Sequence, residues 1–90
     1  MKTCVLLSTY NGEKYLEEQL DSLKRQTLKD VSVLVRDDGS SDSTREILLR
    51  NESEKIKWYS GKNVGAARSF MTLVNDAPEA DYYAFCDQDD

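Results

Sequence analysis

The chain has no histidine, a single proline, four glycines and two cysteines in 90 residues. Without histidine, and with no cysteine beyond Cys4 and Cys86, a soft metal site of the zinc type cannot be completed. Nor is a disulfide expected. If each cysteine lies on a parallel strand, Cys4 opening one and Cys86 closing another, about 3.3 Å per residue leaves them roughly 10 Å or more apart. Both read as buried reduced thiols. The Walker A pattern and the Gly-x-Gly-x-x-Gly fingerprint are also missing, which removes ordinary P-loop NTPase and nicotinamide readings. Positive charge is scarce, 12 Lys and Arg against 17 Asp and Glu, for a net charge of −5. Neutralising a phosphate backbone needs clustered cations, so a nucleic-acid surface is not expected and any anionic ligand requires a local answer. No apolar run approaches membrane-spanning length, and the start Met1-Lys2-Thr3-Cys4 has no signal-peptide pattern. The expected location is cytoplasmic.

What is present is the composition of a folded domain, 39% hydrophobic and 32% charged without repeat or low-complexity tract. Ninety residues allow at most one small domain with a thin core and marginal stability. Lys2 to Ser8 holds the apolar run Cys-Val-Leu-Leu, the pattern of a central parallel strand, and ends at Thr9-Tyr10-Asn11-Gly12. A helix follows, with Asn11 as its cap, Glu13, Glu17 and Glu18 near its positive end, and Lys24 and Arg25 near its negative end. Tyr15, Leu16, Gln19, Leu20 and Leu23 form its inward stripe. Val31 to Arg36 is β-branched and apolar, and Asp37-Asp38-Gly39-Ser40-Ser41-Asp42 after it is a turn leading to a second helix. Ser43 and Glu46 are spaced to open that helix as a capping box, and Ile47 and Leu48 supply its buried face. Ile56 to Tyr59 alternates as a strand near the sheet's edge. Ala66, Ala67, Phe70, Leu73, Val74 and Ala77 give a third helix, ended by Pro78, whose alanines permit close packing. Tyr82 to Cys86 is a fourth strand, and Asp87-Gln88-Asp89-Asp90 follows it.

The alternation of strands and helices predicts an α/β fold: a Rossmann-like three-layer sandwich, with a mostly parallel sheet of about four strands and helices on both faces. Three of the four strands end in polar turns, Ser8 to Asn11, Asp37 to Asp42 and Asp87 to Asp90, and parallel strands bring such turns to one rim. Ligands of open α/β sheets bind at that rim.

The residues there suit particular chemistry. Asp87 and Asp89 form an Asp-x-Asp pair able to hold a hard divalent cation while leaving positions for phosphate and water, with Asp90 as a ligand or its support. Asp37 and Asp38 fit either a structural turn or a contact to a base N–H or ribose hydroxyl, and two adjacent like charges need donors or a cation to answer them. Tyr10 is placed to stack on a base or bond a phosphate. Lys62 and Arg68 flank Asn63-Val64-Gly65, where a cation near a helix start can neutralise a diphosphate. Trp58 reads as packing.

Taken in order, Val5-Leu6-Leu7-Ser8-Thr9-Tyr10-Asn11, Leu16 to Thr27, Val35-Arg36-Asp37-Asp38-Gly39-Ser40-Ser41-Asp42, Asn63-Val64-Gly65-Ala66-Ala67-Arg68 and Asp87-Gln88-Asp89-Asp90 resemble family 2 glycosyltransferases across the whole chain. The resemblance implies a GT-A fold, a nucleotide-diphospho-sugar donor, Mn²⁺ or Mg²⁺, and inverting transfer to a hydroxyl of a glycan or similar acceptor, as in cell wall or polysaccharide biosynthesis. Carried over, the nucleotide contacts fall on Ser8, Tyr10, Asp38 and Arg68, with Glu13 as an addition, and the metal ligands on Asp87 and Asp89. The family's Ala-Arg-Asn segment stands here as Ala67-Arg68-Ser69, keeping the arginine and replacing the asparagine. Asp-Gln-Asp-Asp is similar to the wording of rhamnosyltransferase-type members.

Residues 1–90 are thus expected to be the donor-binding part of a GT-A domain, cut after the Asp-x-Asp motif, with the general base beyond Asp90 and no catalytic residue inside. The full-length protein is expected in the cytoplasm or peripheral to the inner membrane face. An open edge at the Tyr82 strand suits self-association. Two alternatives are a nucleotidyltransferase, which normally carries a Gly-rich basic loop where Thr9-Tyr10-Asn11-Gly12 stands, and a signalling receiver, whose acidic pair follows the first strand.

Overall fold

A run such as Cys4-Val5-Leu6-Leu7 has no polar side to offer water, so as a strand it must be covered on both faces. In the computed structural model, which describes residues 2–25 and 30–86, it lies inside strand β1 (Thr3–Thr9). The other strands are β2 (Val31–Asp37), β3 (Ile56–Ser60) and β4 (Tyr82–Cys86). Helices α1 (Leu16–Arg25), α2 (Thr44–Asn51) and α3 (Ala66–Asp76) alternate with them. The sheet order is β3-β2-β1-β4 and every pair is parallel.

Beside β1 the order reverses. The chain steps from β1 through β2 to β3 in one direction, then returns through α3 to lay β4 on the other side. Right-handed crossovers require that the return lie on the opposite face. The core follows that rule. Val5, Leu7, Val33, Val35 and Ile56 pack with Leu16 and Leu20 of α1 and Ile47 and Leu48 of α2. Cys4 and Leu6 point the other way, to Leu73 of α3, with Leu34, Tyr59 and Phe70 around them. Each fully buried leucine contributes about 1.5–3 kcal/mol. Phe70 also meets Phe85 of β4 edge-on at 5.1 Å between ring centres, tying the last strand to α3.

The expected elements are all found, and the differences lie at their ends. Asn11 does not cap α1. It adopts φ 48°, and its Oδ1 accepts from Ser41 N–H across the rim at 2.8 Å, while a turn at Gly12 to Tyr15 delays the helix to Leu16 and leaves Tyr15 exposed. The Ser43–Glu46 capping box is not formed. Ser43 makes no side-chain cap bond, and Asp42 instead accepts from Thr44 N–H at 2.9 Å. The alanines at the start of α3 are exposed, and Ser69 and Leu73 are the helix's buried residues. Cys4 is buried and Cys86 half-buried, both as free thiols. Among the described residues no helix is long and apolar enough to cross a membrane.

Candidate functional site

Registration decides what meets at the rim. Ser8 of β1 lies opposite Arg36 of β2, and Thr9 opposite Asp37. Because side chains alternate, Ser8 and Arg36 face α3, whereas Thr9 and Asp37 face α2. The adjacent carboxylates therefore part company.

Asp37 is fully buried and serves the turn. It accepts from Ser40 through both the backbone N–H at 3.2 Å and the hydroxyl, and from Ser60 Oγ at 2.7 Å, with exposed Arg45 at 4.0 Å. Asp38, 2% exposed, has a different set of partners. Its Oδ1 accepts from Arg36 Nη1 at 2.8 Å and from Val64 N–H at 3.0 Å, and its Oδ2 from Gly65 N–H at 3.1 Å. Helix α3 has no acidic residue in its first turn and no capping side chain of its own, so Asp38 supplies from the turn after β2 the negative charge that its N-terminus favours. A carboxylate offers roughly four lone-pair positions, and the described residues fill three of Asp38's, leaving one on Oδ2.

Arg36 is 4% exposed. Beyond Asp38, its Nη1 donates to Ser69 Oγ at 2.8 Å and its Nη2 to the Lys62 carbonyl at 3.1 Å, while its Nε has no hydrogen-bond partner among the described residues. Ser69 in turn shares a 2.7 Å hydrogen bond with Ser8. The loops around this cluster touch closely. Gly39 takes φ +74°, and a Cβ there would stand 2.9 Å from Asn63 N. Asn63 Nδ2 also donates to the Asp38 carbonyl at 3.1 Å. The Asp38 N–H donates to the Thr9 carbonyl at 2.8 Å, which brings the start of the acidic turn beside Tyr10, 46% exposed.

On the α2 side, the loops after β1 and β2 are stitched together. Glu13 accepts from Ser43 N–H at 3.3 Å and its own N–H donates to Asp42 Oδ2 at 3.2 Å. Burial alone would raise the Asp42 carboxyl. The hydroxyl and amide of Thr44, with the Glu13 amide, outweigh it and hold Asp42 below its ordinary range.

Of the residues singled out from sequence, Ser8, Tyr10 and Asp38 come together at the rim between β1 and α3. Glu13 is bonded towards the start of α2, and Arg68 is exposed in the first turn of α3, next to buried Ser69. Asp87 and Asp89 lie outside the described residues. Among the described residues no three acidic or thiol side chains converge as metal ligands. Trp58 packs against the core beside α2. Sequence reasoning missed Arg36 and Ser69 as members of the site. The available signal was an arginine closing an otherwise apolar strand, beside two aspartates, and a serine where the resembling family has asparagine.

Comparison with known proteins agrees with this geometry. Residues 4–90 match the family described as Glycosyl transferase family 2. A dTDP-rhamnosyl transferase, RfbG of Shigella flexneri, is 36% identical over 93% of this chain and 32% of its own length. A GalNAc(5)-diNAcBac-PP-undecaprenol beta-1,3-glucosyltransferase of Campylobacter jejuni is 30% identical over 87% of this chain and 30% of its own. The crystal structure of S. aureus TarS 1–349 in complex with UDP matches 99% of this chain and 28% of that one at a TM-score of 0.85, with 34% identity. The chain spans about a third of the length of these relatives.

Proposed function

The chain belongs to glycosyltransferase family 2, and from that premise we propose that it is the donor-binding part of an enzyme moving a sugar from a nucleoside diphosphate to a hydroxyl of a glycan. The observation that carries this reading is the position of Asp38. It sits at the carboxyl rim where the strand order reverses, with one acceptor position left over, beside an exposed aromatic ring and the Ser8 hydroxyl. An N–H or O–H of a nucleoside suits that vacancy, Tyr10 suits the face of a base, and exposed Arg68 at a helix start suits a phosphate. Glu13, bonded to Ser43, belongs to the same reading as a neighbour of Tyr10. The UDP named for the TarS structure supports a nucleoside diphosphate as ligand.

Asp87 and Asp89 are the proposed holders of Mn²⁺ or Mg²⁺. Their carboxylates are the hard oxygen donors these ions take, and the cation would supply charge against the departing diphosphate. They follow Cys86, whose partner in register is Leu7, one residue before Ser8. The acceptor's general base belongs, in this reading, to the part of the relatives' length that the chain does not cover, and the stereochemical course is inversion by in-line displacement. The relatives named for undecaprenol-linked and rhamnosyl transfer favour a cell-surface polysaccharide as product and a cytoplasmic or inner-membrane-peripheral setting for the whole protein.

Calorimetric titration of the 90-residue chain with UDP, dTDP and GDP, each with and without Mn²⁺, tests the proposal. Weak binding of one nucleotide, strengthened by the ion, is expected without sugar transfer. Indifference to all three, or turnover by this chain alone, would contradict it.

A further inference from the structure

A guanidinium taken out of water is costly unless its donors are answered, and an arginine at the end of a strand has an easy route to solvent. Arg36 does not take that route. It stays 4% exposed with Nε unpartnered among the described residues, Nη2 anchored on the Lys62 carbonyl, and Nη1 given to both Asp38 and Ser69. We propose that Arg36 is the positioning residue of the rim: anchored by Nη2 on the Lys62 carbonyl, it holds through Nη1 the Asp38 carboxylate directly and the Ser8 hydroxyl by way of Ser69, so that both present to the donor nucleotide as one rigid unit. The inference rests on the donor-binding reading above.

Three features support it. First, Nη1 and the Val64 amide hold Oδ1 of Asp38 while the Gly65 amide holds Oδ2, so the carboxylate is pinned at both oxygens and cannot turn without breaking a bond. Second, Ser69 lies on α3 and Ser8 on β1, and Arg36 is the group that joins their pair to Asp38. Third, the space for the guanidinium is reserved. A Cβ on Gly61 would stand 2.3 Å from Arg36 Nη2, so only glycine at that position leaves the fork where it is. Lysine does not reproduce this arrangement, because an ammonium is one atom and cannot stand both at Nη1, which serves Asp38 and Ser69, and at Nη2, which anchors on the Lys62 carbonyl.

The test uses three variants of the 90-residue chain. Gly61→Ala displaces the guanidinium without altering any of its partners, Ser69→Ala cuts the link to Ser8, and Arg36→Lys keeps the charge while losing the fork. Melting temperature checks that each variant is folded, UDP, dTDP and GDP are the calorimetric probes, and the Val64 and Gly65 amide resonances report on Asp38 in the free protein. Affinity weaker by about tenfold in Gly61→Ala and Arg36→Lys is expected, with both amides shifted and the fold kept. Ser69→Ala is expected to weaken binding less and leave the amides nearly in place. Wild-type affinity in folded Gly61→Ala and Arg36→Lys overturns the inference, whatever the amides do. A wild-type chain that takes none of the three nucleotides would sink the donor-binding reading instead, and the positioning of Asp38 is then upheld or overturned by the two amide resonances alone.

Discussion

Neighbouring aspartates at the end of one strand do opposite work because alternation turns them to opposite faces. Asp37 is surrounded by hydroxyls and an amide, so Asp37→Ala leaves the buried Ser40 amide and hydroxyl without their acceptor and also releases Ser60, and a loss of about 1–3 kcal/mol in urea unfolding is expected. Asp38 faces donors only, so Asp38→Asn sets an amide NH₂ against them, and a similar loss is expected together with loss of nucleotide binding. Asp42 gives a pH prediction. Its folded carboxyl lies below the ordinary 3.8, so its contribution is fully present above that value and disappears as pH falls through the lower folded value. Urea midpoints between pH 5 and pH 3 are expected to fall, and Asp42→Asn to flatten that part of the decline. In the sequence, Asp37-Asp38-Gly39 was readable as a rim turn because strand, carboxylates and glycine agree. Their division of labour was not readable, since it depends on which face each side chain takes and on a helix that starts 27 residues after Gly39 and meets the turn only through the fold.

At the scale of elements, the two faces of the sheet are unequal. Among the described residues nine buried hydrophobic side chains make the α1–α2 side, while the α3 side has three, Cys4, Leu6 and Leu73. Leu73→Ala therefore removes the single large buried side chain that α3 contributes, and a loss of about 2–5 kcal/mol is expected by chemical denaturation. A polar clasp assists on the same side. Tyr59 of β3 donates to Asp76 of α3 at 2.8 Å, and burial followed by that carboxylate pushes its phenol up to about 12. An unfolded tyrosine ionises near 10, so this contribution is intact below pH 10 and vanishes as pH rises through 12. A spectrophotometric titration is expected to show one late tyrosine, absent in Tyr59→Phe. Helical spacing was enough to find all three helices. It overstated the apolar stripe of α3, because alanines and Val74 satisfy the period without being covered, while Ser69, polar by composition, is the better buried. Neither expected cap formed: Asn11 is spent on Ser41 across the rim, and at α2 Asp42 rather than Ser43 accepts from the first turn, choices that local spacing does not encode.

For the molecule as a whole, β1 is paired on both sides and β4 only by β1 among the described residues. Tyr82, Tyr83 and Phe85 of β4 are exposed, as are Met71 and Val74 on α3. A parallel strand with one edge open among the described residues and aromatic side chains exposed invites pairing, so light scattering at rising concentration is expected to show self-association of this chain, weakened by Phe85→Lys. Clean monomer behaviour throughout would argue against an adhesive edge.

Gly39 pressed against Asn63 has an effect on how the rim breathes. Two crossings of the backbone, separated by more than twenty positions, share one seam with no side chain between them, and the second is further slung from the Asp38 carboxylate and carbonyl. Neither can peel away while the other stays. Deuterium uptake in the two stretches should therefore rise and fall in lockstep, and whatever molecule grips one of them will quiet both.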